Sequence, residues 1–78
     1  MNYEVIVELK PEVLDTQGRA IKEALNRLGH EGLKSVKVQR RFVLEIADGV
    51  KDPAALVNQL AAEHLANSVA ETFTAKRL

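Results

Sequence analysis

Five apolar residues occupy even positions in one short stretch: Val36, Val38, Phe42, Leu44 and Ile46. Alternate residues of a strand share a face, so this row reads as one strand with a single apolar side, interrupted only by Arg40. A tight hairpin at Arg40-Arg41 would place Val38 opposite Val43 and Val36 opposite Glu45, and the apolar faces would then disagree. Arginines are also poor occupants of a two-residue turn, which favours Gly, Asn or Asp. The pattern therefore predicts one strand from about Ser35 to Ile46, bent near Gln39. Strands usually run to about five or six residues. A chain of 78 residues buries only about 60% of its unfolded surface and has little with which to cover such a strand. Its uncovered end would expose backbone donors and apolar side chains, which pairing with a second copy removes.

The remaining elements fall around that strand. Tyr3, Val5, Val7 and Leu9 alternate with Glu4, Ile6, Glu8 and Lys10, the pattern of a half-buried strand, and Pro11 ends it. Glu4 and Glu8 share the solvated face, where they read as solubility residues with unperturbed acidity. Asp15 caps a helix starting near Thr16. Ile21, Ala24, Leu25 and Leu28 line one side of that helix, and Gly29 supplies the left-handed residue that ends it. Leu25 is expected to be buried against the sheet. Asp48-Gly49 marks a turn. Asp52 and Pro53 open a second helix with Val57, Leu60, Ala61 and Leu65 on its apolar face, and Asn67 ends it. Val69, Phe73 and Ala75 then suggest a last strand. The expectation is a single α+β domain over residues 1–78, ordered β-α-β-α-β. Two helices would lie on one face of a sheet with a long, bent central strand.

No chemistry announces itself. The four glycines form neither a GxGxxG nor a Walker loop. His30 and His64 stand far apart and no cysteine accompanies them, so no metal site is expected. Ser35 and Ser68 lack the setting of an activated nucleophile. Eleven basic residues balance eleven acidic ones, which argues against a nucleic-acid binder and against a polybasic membrane patch. The N-terminus lacks a signal-peptide pattern and the longest uncharged stretch is too short to span a bilayer. With no disulfide framework, a cytoplasmic location is expected. Arg40 is the unusual charge. It interrupts an apolar row and belongs at or beyond the core edge, where a guanidinium can meet a partner, while Arg41 faces the other way.

Leu9-Lys10-Pro11-Glu12-Val13-Leu14-Asp15-Thr16-Gln17-Gly18 resembles the signature of the PurS family, the small subunits of phosphoribosylformylglycinamidine synthase. Ala24-Leu25, Leu28-Gly29, Val36-Lys37-Val38 and Leu65-Ala66-Asn67-Ser68-Val69 continue the likeness over nearly the whole chain. Thr16 and Ser68 stand where the family usually has Pro, and Gln39-Arg40 where it usually has Gly-Lys.

The resemblance implies a PurS-like fold and a non-catalytic role in the complex of de novo purine synthesis. That complex converts formylglycinamide ribonucleotide, glutamine and ATP into formylglycinamidine ribonucleotide. It implies partnership with the large synthetase subunit PurL and the glutaminase subunit PurQ, between which ammonia must pass, while the uncovered end of the long strand adds self-association as a dimer or tetramer. No cofactor is expected on this chain, with ATP and magnesium used by the synthetase. Asp15, Gln17 and Gly18 of the signature join Arg40 and Arg41 as subunit-interface candidates. The alternative is a stand-alone ACT-like domain binding a small ligand, which would want Gly-rich loops near the first strand-helix junction, where only Gly18 stands.

Overall fold

A computed structural model describes all of residues 1–78. Three strands and two helices follow in the expected order: β1 (Asn2–Leu9), α1 (Thr16–Arg27), β2 (Arg40–Glu45), α2 (Pro53–Leu60) and β3 (Glu71–Arg77). The strands form one antiparallel sheet in the order β2-β1-β3. The α+β class holds, and no hairpin forms at Arg40-Arg41.

β1 takes the centre because it alone has a neighbour on both edges. Val5 lies opposite Phe42 and Ala75, and Val7 opposite Arg40 and Phe73. These odd positions of β1 face α2. Val5, Val7, Val57 and Ala61 are fully enclosed, with Tyr3 and Ile46 nearly so. Asp52 starts α2 as expected, accepting from the Ala55 amide at 3.1 Å with Pro53 in the first turn. The helix then widens by one residue over Ala61–Leu65, where the Ala66 N–H reaches back to the Ala61 carbonyl. No helix is long and apolar enough to cross a membrane.

Three details differ from the sequence reading. The ladder of β2 begins only at Arg40, so the strand is six residues long and lies at the edge of the sheet, with β1 in the centre. Residues 33–39 approach it without a turn or bend and without a strand partner. β1 ends at Leu9, two residues past its last pairing with β2 at Val7, so residues 33–37 have no strand beside them, and the Val38 amide donates instead to the Asp15 carboxylate. Val69 does not enter β3. It lies in a turn in which its amide donates to the Asn67 side chain, and it is 82% exposed.

The third difference concerns α1. Asp15 caps it and Gly29 follows it with a positive φ of 99°, both as expected. It does not, however, pack on the sheet of its own chain. Leu25 is only half-buried and Leu28 is 74% exposed. Only α2 covers the sheet. α1 and residues 33–39 instead form an arm, and the molecule measures 53 × 24 × 13 Å. Its radius of gyration is 16.2 Å, against about 11–12 Å for a compact domain of this length.

The core is thus confined to β1, α2 and the flanking strands. Val57→Ala should lower unfolding free energy by roughly 2–3 kcal/mol, from lost burial and the cavity left behind. Val69→Ala should change it by no more than about 0.5 kcal/mol. Urea unfolding followed by Tyr3 fluorescence checks both, and equal shifts would show that α2 is not the core helix.

Candidate functional site at the root of the arm

Four of the five residues singled out from the sequence, Asp15, Gln17, Gly18 and Arg40, gather where the arm leaves the sheet. Asp15 makes two backbone contacts there. One carboxylate oxygen accepts from the Gly18 amide at 2.7 Å and caps α1. The other accepts from the Val38 amide at 3.0 Å and ties the helix start to the strand leading into β2. Those two amides, Gly18 first, hold the Asp15 carboxyl below its ordinary range. Gly18 is buried, and a Cβ placed on it would collide with the Val36 carbonyl oxygen and crowd the Asp15 carboxylate. A glycine is needed here for close approach of the two backbones.

Arg40 meets a carboxylate of its own chain. Its guanidinium donates to both oxygens of Glu71, at 2.8 and 2.9 Å, and to the Leu65 carbonyl at 3.2 Å. β2 and β3 flank β1, so this bond crosses over the central strand and shields its end. Glu71 also accepts from the Asn67 amide at 2.8 Å, and this amide, ahead of Arg40, lowers its pKa. The sequence reading missed Glu71. The available signal was a second charge, of opposite sign, on the apolar row of β3 with Phe73 and Ala75.

Arg41 lies on the opposite face of the sheet and is not solvated alone. It donates to Glu4 at 2.5 Å, and Lys76 approaches the same carboxylate at 3.7 Å. Glu4 is therefore covered, with 8% of its surface exposed, and its pKa is lowered chiefly by the Arg41 hydrogen bond. The expectation that Glu4 is a freely solvated, unperturbed carboxylate fails because both neighbouring strands place a cation over it. Glu8 on the same face accepts from Gln39 at 2.6 Å.

Two open clefts flank this root. One, of ≈ 230 Å³, is lined by Val7, Leu9, Thr16, Gln17, Arg40 and Glu71, with Asp15 and Val38 in its wall. The other, of ≈ 250 Å³, lies across Asp15 and Val38 and includes Lys10, Pro11 and Lys37. Asp15, Gln17, Gly18 and Arg40 are thus brought together, and Arg41 is not. No group of His, Cys, Asp and Glu side chains is arranged to hold a metal ion. The carboxylates at the root are engaged by amides or guanidinium groups and ionised at neutral pH. For Asp15 and Glu71 that arrangement positions backbone.

Comparison with known proteins gives one consistent likeness. The family model described as PurS, phosphoribosylformylglycinamidine (FGAM) synthase, matches residues 2–77. The phosphoribosylformylglycinamidine synthase subunit PurS of Mycobacterium leprae (strain TN) is 47% identical over 73 residues, covering 94% of this chain and 90% of that one. Among solved structures, Bacillus subtilis PurS in a C2 crystal form is 31% identical, with a TM-score of 0.88 over 96% of this chain and 94% of that one. A chain in the structure of PurLQS from Thermotoga maritima shares the fold, with a TM-score of 0.85 and 22% identity over 99% and 95% of the two chains.

The three shifted carboxylates fix the sign of the acid response. Each has a folded-state pKa below its ordinary value of 3.8 for Asp15 or 4.5 for Glu4 and Glu71. Their contribution is whole above those values and is lost as pH falls through the lowered ones. Glu71→Gln should flatten the fall in melting temperature on acidification from pH 5 to pH 3, and an unchanged slope would show that the Arg40–Glu71 pair adds nothing to the fold.

Proposed function

The chain belongs to the PurS family of phosphoribosylformylglycinamidine synthase subunits, and on that basis we propose that it serves its complex as a joining piece with no reaction centre of its own. The observation that carries this reading is the extent of the match, which takes in residues 2–77 and so assigns the whole chain to that subunit. The chain is a subunit of a ligase complex of purine biosynthesis. Its non-catalytic character is our reading, supported by the root of the arm, where every perturbed carboxylate is pushed away from neutrality.

The partners follow from the same reading. A chain of this fold occurs in PurLQS, and we assign this one the corresponding place beside the synthetase PurL and the glutaminase PurQ. There it bridges the two and assists ammonia transfer from glutamine to the synthetase site. ATP and magnesium belong to the synthetase, and this chain binds no cofactor. Self-association to a dimer or tetramer accompanies the assembly, with Asp15, Gln17, Gly18, Arg40 and Arg41 at or beside its contacts. The setting is cytoplasmic, without nucleic acid or membrane.

Purified alone with ATP, glutamine and formylglycinamide ribonucleotide, the chain should give no turnover. Added to the synthetase and glutaminase, it should raise glutamine-dependent turnover well above ammonia-dependent turnover. Activity of the chain alone, or glutamine-dependent synthesis at full rate without it, would overturn the assignment.

A further inference from the structure

The connector between β2 and α2 runs from Ala47 to Asp52 and is exposed throughout. Both of its ends are anchored. Ile46 is buried, and its amide donates to the Met1 carbonyl at 2.8 Å. Asp52 caps α2 and Pro53 occupies its first turn. Between these anchors Asp48 and Gly49 form a turn, with Gly49 at a positive φ of 93°. Nothing lies within 4 Å of the place a Cβ on Gly49 would take. The Gly49 amide donates to no backbone acceptor.

The other aspartates and the asparagines are placed differently. The Asp15 carboxylate is held by the Gly18 and Val38 amides, and that of Asp52 by the Ala55 amide. Asp52 also precedes a proline, which has no N–H to give. Asn26 and Asn58 lie within helices and Asn2 within β1. The Asn67 side-chain oxygen accepts from the Val69 amide. Asp48 alone combines an unheld carboxyl group with a following amide that is exposed, unbonded and unobstructed by a side chain.

We propose that Asp48-Gly49 is a modification site, where the backbone rearranges spontaneously to a β-linked isoaspartyl form that an isoaspartyl carboxyl methyltransferase recognises. The Gly49 nitrogen attacks the Asp48 side-chain carbonyl carbon. A C–N bond forms, the C–OH bond breaks, and the hydroxyl leaves with the amide proton as water. The product is a five-membered cyclic imide. Water opening it at the side-chain carbonyl restores aspartate. Opening at the main-chain carbonyl leaves the peptide link on the side chain and frees the α-carboxylate, which is the methyl acceptor. No oxidant is needed and the composition of the chain is unchanged. The connector, however, is one backbone atom longer between two fixed ends, so its join to the core helix α2 is weakened.

The test ages the purified protein and the free peptide 42–51, which tryptic cleavage after Arg41 and Lys51 releases, at neutral pH and physiological temperature. Purified isoaspartyl methyltransferase with labelled S-adenosylmethionine then reports the β-linked form, and tryptic mapping locates it. Label should appear in segment 42–51 of both. Asp48→Glu, which would require a six-membered imide, should remove it. The aged protein should also contain a lower-melting fraction that aged Asp48→Glu lacks. Label in the free peptide with none in the folded protein would overturn the proposal by showing that the turn holds the reacting groups apart. Label confined to the segments bearing Asp15, Asp52 or Asn67 would overturn it by placing the chemistry elsewhere. Converted protein that melts like fresh protein would overturn the effect assigned to the longer connector.

Discussion

The Asp15 carboxylate holds together two stretches of chain that share no ladder. By accepting from Gly18 and Val38 it starts α1 and fixes the approach to β2 at the same point. Everything about the arm depends on that bridge. With it, the helix backbone comes so close to Val36 that only glycine fits at position 18. The apolar residues of α1 are then held pointing away from the sheet of their own chain. A cap worth little more than an ordinary helix start here decides the outline of the molecule.

The body is built on a different principle. One central strand supplies the enclosed side chains Val5 and Val7, one helix covers them, and charged pairs close the rim. Arg40 and Glu71 span β1 on the helix side, and Arg41 and Lys76 fold over Glu4 on the other. These pairs are partly exposed and screened, so each adds little free energy. Their effect is geometric. They hold the edge strands at a fixed spacing from β1, and the Arg40–Glu71 pair forms part of the wall of one cleft beside the arm.

The sequence disclosed the parts of the fold that depend on local chemistry. Asp15, Gly29, Asp52 and Pro53 marked helix ends by the hydrogen bonds or backbone angles that such residues supply, and alternation identified β1. Patterning was silent on whether a face is covered by its own chain. Leu25 has the spacing of a buried residue, and the spacing is the same whichever sheet lies beneath it. Likewise the even-numbered row from Val36 to Ile46 reports a shared face but not a ladder, which requires a neighbour as long as the strand. At the site, Arg40 stood out as a charge in an apolar row, and Asp15, Gln17 and Gly18 stood out only through family resemblance. Glu71 was legible in principle by the same reasoning as Arg40. The cover over Glu4 was not, because it depends on the register of two strands that pattern alone does not set.

The arm's scant support within the chain makes the order of α1 a matter of mass action. A helix of 12 residues without tertiary packing is marginal in water. Its stability must come from whatever covers it, and so must scale with the concentration of that cover. Diluted, the chain would keep its sheet and α2 while α1 frayed. Melting measured through the helix would then shift with dilution, whereas melting measured through Tyr3 would shift far less. The surface that α1 offers is therefore fully formed only when its cover is in place, so the order of the arm reports on assembly while the order of the body does not.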